Sequence, residues 1–198
     1  KMNHTLQYYN KNATAFVNNT INANLKNLQQ HFLQFIPPKG HILDFGCGSG
    51  RDTKYFMHQG YCVDAIDGSK ELCKLASEYT GIKVKQMTFQ DLSELETYDG
   101  IWACSSILHL PKSELQPVMK KMQKALKDKG VIYTSFKYGD FEGLRNERHF
   151  TDFTEKSFTD FISKVKGLSI EEYWITNDVR PGRDEEKWLN LILRKNKI

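Results

Sequence analysis

Long apolar runs are missing from this chain, and that absence narrows it before any motif is read. No stretch approaches the roughly 18 apolar residues that a membrane-spanning helix needs, so no membrane segment is expected. The opening KMNHTLQYYNKNATAF lacks the apolar core of a secretory signal, which makes the cytoplasm the expected location. Cysteine is scarce: Cys47, Cys62, Cys73 and Cys104 are the only four, and no two form a C-x-x-C pair. Thiols spread through apolar and glycine-rich segments suit a reducing compartment. The six histidines add no closely spaced Cys/His pairs, so no metal is expected. Excess charge is small, 28 Lys and Arg against 24 Asp and Glu for a net +4, and gives no electrostatic case for nucleic acid as a partner. Repeats and low-complexity segments are absent.

What remains is an ordinary globular composition, 39% hydrophobic and 26% charged, on 198 residues, enough for one well-buried domain and short for two. Near the N-terminus Ile21, Leu25, Leu28, Phe32 and Phe35 recur at helical spacing and predict one apolar helix stripe, with Tyr8 and Tyr9 preceding it. Pro37-Pro38-Lys39-Gly40 ends that helix. An alternation then sets in: strand 41–45, helix about 51–59, strand 61–66, helix about 69–79, strand 82–87, strand 101–104, helix 113–127 and strand 131–136. This is the rhythm of a parallel sheet with crossover helices. Residues 137–150 read as an inserted loop. Thr154 caps a further helix, and apolar alternation at 168–175 and 188–193 predicts an antiparallel pair flanking the loop Asp178 to Glu186.

The stretch His41 to Gly50, HILDFGCGSG, is a buried strand running into a glycine turn at a helix N-terminus, a place for a ligand to approach bare backbone N–H groups. Two nucleotide-binding readings compete for it. A dinucleotide fingerprint, G-x-G-x-x-G from Gly46, would need its third glycine where Arg51 stands. A Walker A loop is excluded by the missing Gly-Lys-Ser/Thr. The pattern present, Asp44-x-Gly46-x-Gly48-x-Gly50, resembles the acidic glycine loop of class I S-adenosylmethionine-dependent methyltransferases. A carboxylate there suits a cationic aminopropyl group and would repel a pyrophosphate.

That resemblance implies a Rossmann-like α/β fold: a seven-stranded, mostly parallel sheet of order 3-2-1-4-5-7-6, helices on both faces and an N-terminal helical cap. It implies one domain over 1–198, with the cap at 1–36, a cofactor core at 41–137 and acceptor-side loops with a C-terminal hairpin at 138–198. S-adenosylmethionine is the implied cofactor and S-adenosylhomocysteine the product. Asp44, Gly46, Cys47, Gly48, Gly50 and Arg51 would form the loop side of its site, Asp67 with Gly68 the ribose contact, and Asp91 with Leu92 the adenine contact. Asp64 is a second choice for the ribose, while Cys104 and Tyr9 complete the cofactor set. The segment Cys104 to Leu110 lacks the Asn/Asp-Pro-Pro-Tyr/Phe of amine- and amide-methylating relatives and has no Pro-Cys nucleophile, which disfavours nucleobases. GCGSGRDTKYF, SSILHLPKSEL and FKYG are similar to small bacterial stand-alone methyltransferases of the tellurite-resistance and thiopurine-like branches, so a small-molecule acceptor is implied.

His109 is the candidate general base by location and pKa class. Lys137, Tyr138, Arg180 and Arg183, with Arg145 and Arg148 nearby, would form a cationic rim for an anionic acceptor if their loops converge. The same residues also fit a solvated surface paired with Glu142, Glu147, Asp184 and Glu185. An NAD-dependent oxidoreductase and a non-catalytic cofactor-binding module remain as alternatives.

Overall fold

The computed structural model describes residues 3–197. Three helices come first, α1 (His4–Lys11), α2 (Ala13–Thr20) and α3 (Lys26–Leu33). They are followed by β1 (His41–Phe45), α4 (Arg51–His58), β2 (Cys62–Asp67), α5 (Lys70–Thr80) and β3 (Lys85–Gln86). Next come β4 (Tyr98–Ala103), α6 (Lys112–Ala125), β5 (Leu126–Lys137) and the hairpin strands β6 (Glu142–Arg145) and β7 (Arg148–Thr151). The chain then forms α7 (Glu155–Ile162), β8 (Leu168–Asn177) and β9 (Lys187–Lys195).

Seven strands make one sheet in the order β3-β2-β1-β4-β5-β9-β8, parallel from β3 to β5 and antiparallel at β9 and β8. The expected order numbers the strands of this sheet alone; β6 and β7 pair only with each other and displace the last two labels. This is the Rossmann-like class I methyltransferase fold. Strand β1 shows why both faces need cover. Ile42 and Asp44 point to one side and Leu43 and Phe45 to the other, and all four are buried. Phe32, Ile36 and Phe56 from the α3 and α4 segments pack on the Ile42 side with Trp102 and Tyr133, while α5 covers Ala65 on that same side. Helices α6 and α7 cover Leu43 and Phe45 on the other side.

Local signals set the ends. The Ser69 side chain accepts from the Leu72 N–H at 3.2 Å to start α5, and Gly81 stops it in the left-handed conformation at φ 80°. Thr154 does the same service for α7, accepting from the Ser157 N–H.

Three expectations are corrected. The N-terminal stripe is not one helix: α2 ends at Thr20, and the Asn24 side chain accepts from the Lys26 N–H at 3.1 Å in a turn that starts α3. Tyr8 and Tyr9 lie inside α1 rather than ahead of the first helix. Residues 142–151 are a β-hairpin and not a loop, turning at Asn146 and Glu147 with φ of 51° and 63°. Glycine is the usual residue at the second of those positions, so its absence hid the turn.

Gly100 in β4 is fixed by space rather than by φ. A Cβ there would stand 2.4 Å from Ile36 Cδ1 and 2.8 Å from Phe32 Cζ, inside a filled core. Gly100→Ala is therefore expected to destabilise the chain by about 1–3 kcal/mol in urea unfolding. A loss within error of zero would show that the α3 segment yields freely.

Candidate functional site

The site is built on the carboxyl ends of β1, β2, β4 and β5, the edge where open α/β sheets hold ligands. After Phe45 the chain turns through Gly46, Gly48 and Gly50 at φ of 85°, 55° and 80°, values that side-chain-bearing residues rarely adopt. The Gly46 and Cys47 N–H groups both donate to the Ile66 carbonyl, at 3.0 and 2.9 Å. Asp67, at the end of β2, accepts from the Gly48 N–H at 3.0 Å and from the Ser69 N–H at 2.9 Å. Burial raises its pKa, and these N–H contacts hold it back.

Beside the loop lies a cavity of about 270 Å³. Gly46, Cys47, Gly48, Arg51, Asp67, Gly68 and Cys104 line one end of it. Tyr9, His109, Lys137, Arg180 and Arg183 line the rest. Helices α1 and α2 roof it: a Cβ on Gly68 would meet Leu6 Cδ2 at 2.6 Å, and one on Gly48 would meet Phe16 Cε1 at 3.0 Å.

Seven of the candidate residues do not line it, among them Asp64, which accepts from the Tyr98 hydroxyl at 3.0 Å, and Arg145, which forks onto Asp152. Asp44 is buried behind the loop and takes a hydrogen bond from the Thr53 hydroxyl at 2.6 Å. Burial first, then the nearby Asp52, pushes its pKa up to about 8. Its environment favours the neutral form, and its side chain does not face the cavity. Gly50 turns toward α5, where a Cβ would meet Thr80 Cγ2 at 2.8 Å. Asp91 is exposed and caps its own turn, accepting from the Thr88 N–H at 3.0 Å and hydroxyl at 2.7 Å. These bonds lower its pKa. Leu92 is core, and the Tyr138 hydroxyl donates to Glu155 at 2.7 Å. Met87, Phe89 and Gln90 line the cavity where Asp91 was expected, with Phe89 packed on Phe45 at a 4.7 Å centroid distance.

Several lining residues carried no signal in the sequence. Asp52 is one: it lines the cavity and accepts from Arg51 Nε at 2.9 Å, Gln29 Nε2 at 2.6 Å and Trp102 Nε1 at 2.9 Å. Burial disfavours the Arg51 charge, yet Asp52 raises its pKa above normal. Burial also pushes the Cys104 thiol up to about 12, so it is not a nucleophile at neutral pH.

At the far end His109 Nδ1 lies 2.7 Å from the His149 carbonyl and Nε2 lies 2.8 Å from the Tyr9 hydroxyl. A carbonyl only accepts, so Nδ1 carries the proton, and the Tyr9 hydroxyl donates to Nε2. Burial brings the imidazole down to about 4. The rim cations do converge, but most are paired. Lys137 meets Glu186 at 3.0 Å, Arg183 reaches Glu186 at 3.8 Å, and Arg180 forks onto Asp178. Burial works against the Asp178 charge, yet Arg180 and the Trp188 N–H hold its pKa at about 2.

Residues 42–130 match the model of a methyltransferase-domain family. An uncharacterized methyltransferase of Staphylococcus carnosus is 26% identical over 167 residues, spanning 81% of this chain and 75% of that one. Of three other curated methyltransferases that it matches, the chain spans 47%, 64% and 55%. Among solved structures, the Burkholderia thailandensis 1,6-didemethyltoxoflavin-N1-methyltransferase, bound to 1,6-didemethyltoxoflavin and S-adenosylhomocysteine, superposes with TM-score 0.76 at 18% identity. The match covers 97% of this chain and 85% of that one. The N-methyltransferase NodS of Bradyrhizobium japonicum, complexed with S-adenosylhomocysteine, gives TM-score 0.71 at 16% identity and covers 95% and 98%. At such identities the two structures speak for the fold. The family match likens residues 42–130, which hold the glycine loop and strands β1 to β4, to a methyltransferase domain. A structure from Rhodobacter sphaeroides named as a putative Zn-dependent alcohol dehydrogenase also superposes, with TM-score 0.77 at 11% identity over 99% of this chain and 100% of that one, and at that identity it speaks for the fold alone. No helix of the described residues is long and apolar enough to cross a membrane.

The depressed His109 pKa has a consequence for stability. An imidazole that titrates near 6.5 when unfolded and near 4 when folded binds fewer protons in the native state between those values. Its contribution is whole above about pH 6.5 and is lost as pH falls toward 4. Wild type should therefore lose stability relative to His109→Gln between pH 7 and pH 4.5 in urea unfolding. A constant difference would mean that the ring is not enclosed as described.

Proposed function

We propose that this chain methylates a small-molecule acceptor, with the cofactor lying along the carboxyl edge of β1 and β2 and the segment after β3. The observation that carries the reading is Asp67. Its carboxylate lines the cavity and is fixed by two backbone N–H groups beside a glycine loop, so it can accept from ribose hydroxyls without moving. The remaining donor set fits S-adenosylmethionine. Gly46, Cys47, Gly48 and Gly68 offer close backbone approach, Met87 to Gln90 give a mixed apolar and amide wall for adenine, and Arg51, held by Asp52, walls the same end. Tyr9 and Cys104 close the cavity walls.

S-adenosylmethionine, when bound, supplies an electrophilic methyl group on a sulfonium. The protein's part is to position the acceptor, exclude water and take up a proton. His109 is our candidate for the last role, since its Nε2 is the unprotonated ring nitrogen. A small acceptor agrees with the roofed cavity and with the heterocycle held by the toxoflavin-type neighbour. We further place residues 1–36 as a cap, 41–137 as the cofactor core and 138–198 as the acceptor side of a single domain. The motifs GCGSGRDTKYF, SSILHLPKSEL and FKYG support a place for the chain in the tellurite-resistance and thiopurine-like branch, and we place its work in the cytoplasm.

Calorimetry with S-adenosylmethionine, S-adenosylhomocysteine and NAD tests the cofactor reading. Asp67→Ala should weaken S-adenosylmethionine by about tenfold to a hundredfold, the range for hydrogen bonds to a charged group. Binding of NAD in preference to S-adenosylmethionine would sink the proposal. Transfer of labelled methyl to an acceptor pool separates an enzyme from a binding module, and undiminished turnover in His109→Ala would remove His109 from the mechanism.

A further inference from the structure

Arg148, at the start of β7, lines the acceptor end of the cavity and has no carboxylate partner among the described residues. The other cavity cations differ: Arg51, Lys137, Arg180 and Arg183 each meet an acid. Arg148 Nε is buried with no hydrogen-bond partner, and Nη1 makes only a long contact of 3.4 Å to the Tyr9 hydroxyl. Rings fix the guanidinium plane, with Tyr8 at 4.6 Å, Phe150 at 5.2 Å and Tyr9 at 5.9 Å from its carbon. A held, unpaired guanidinium in a partly desolvated wall is a fork for a planar anion. Beside it, Phe150 and Trp188 give the cavity flat apolar walls.

Building on the methyltransferase reading above, we propose that Arg148 anchors the carboxylate of an aromatic amino acid of the aminobenzoate type, whose amine faces His109. The positions agree, because the Tyr9 hydroxyl touches both Arg148 Nη1 and His109 Nε2. An acceptor entering between them displaces that hydroxyl and takes both partners. In the transfer, the amine lone pair forms the new N–C bond and the sulfonium C–S bond breaks with its electron pair left on sulfur. One N–H proton then passes to His109 Nε2. The imidazole is a weak base, which suits an arylammonium, whose proton is far more acidic than that of an alkylammonium. The positive charge of Arg148 contributes to that weakness, so a carboxylate bound on it makes His109 more basic once the acceptor is in place.

The test is binding to the protein saturated with S-adenosylhomocysteine, using 2-aminobenzoate and 4-aminobenzoate against their carboxamides. At least one acid should bind about tenfold or more tighter than its amide, a ratio that falls to within about twofold in Arg148→Gln and lies between in Arg148→Lys. S-adenosylhomocysteine affinity should stay within about twofold in both variants, since a residue that only braced α1 would change that affinity and leave the acid-to-amide ratio alone. Equal binding of acid and amide in wild type, no binding of either acid, or a ratio unchanged in Arg148→Gln overturns the proposal. Failure of wild type to bind S-adenosylhomocysteine overturns the methyltransferase reading beneath it.

Discussion

The Asp52 carboxylate joins more of this molecule than any other single group at the site. It sits in the first turn of α4, directly after the glycine loop, and receives Arg51, Gln29 of α3 and Trp102 of β4. Arg51 in turn donates to the Thr20 carbonyl at the end of α2. One buried acid thus ties the N-terminal helices, the sheet and the loop into a shared network. Such a network is stable only when every member is satisfied, because an unpaired buried charge costs several kcal/mol. Here each carboxylate oxygen has two donors. The same charge acts at a distance on Asp44, helping to keep it protonated and bonded to Thr53.

This arrangement separates the two ends of the cavity by charge state. Beside the glycine loop the groups are backbone N–H donors and an acid held in place by them, an environment that suits hydroxyls. At the other end the imidazole is neutral, three cations are compensated by Glu186 and Asp178, and one is not. Compensated cations shape a wall without drawing anions strongly, since their partners already supply the counter-charge. The roof belongs to both ends. Leu6 and Phe16 rest on the glycine loop, while Tyr9 bonds to His109 and Thr5 accepts from the His149 N–H at 3.1 Å. Opening α1 would expose both halves at once.

How much of this the sequence carried follows from the range of each interaction. The glycine loop, the strands beside it and the caps at Ser69 and Thr154 are local, and their residues announce them at fixed spacing. The place of Asp67 at the end of a strand was legible for the same reason. Asp91 stood at the right point in the chain but is claimed by Thr88 three residues away, and nothing in FQD tells a capping acid from a binding one. Tyr9 and His109 meet across 100 positions, so neither reveals the other. The hairpin was hidden because Asn146-Glu147 replaces the expected glycine turn and short charged strands show no clean alternation.

The hidden hairpin also shapes the end of the cavity around His109. The sheet delivers β1, β2, β4 and β5 to one edge of the cavity and leaves the side beyond His109 to other segments. The insertion between β5 and α7 fills it. Strand β7 brings Arg148 and Phe150 to the cavity and presents the His149 carbonyl to His109 Nδ1. That one hydrogen bond fixes the tautomer, and with it the nitrogen that can accept a proton. A cation unpaired among the described residues, an apolar wall and the orientation of the His109 ring therefore come from three consecutive residues outside the seven-stranded sheet. On the proposed reading, change in this hairpin would alter acceptor recognition without touching the glycine loop.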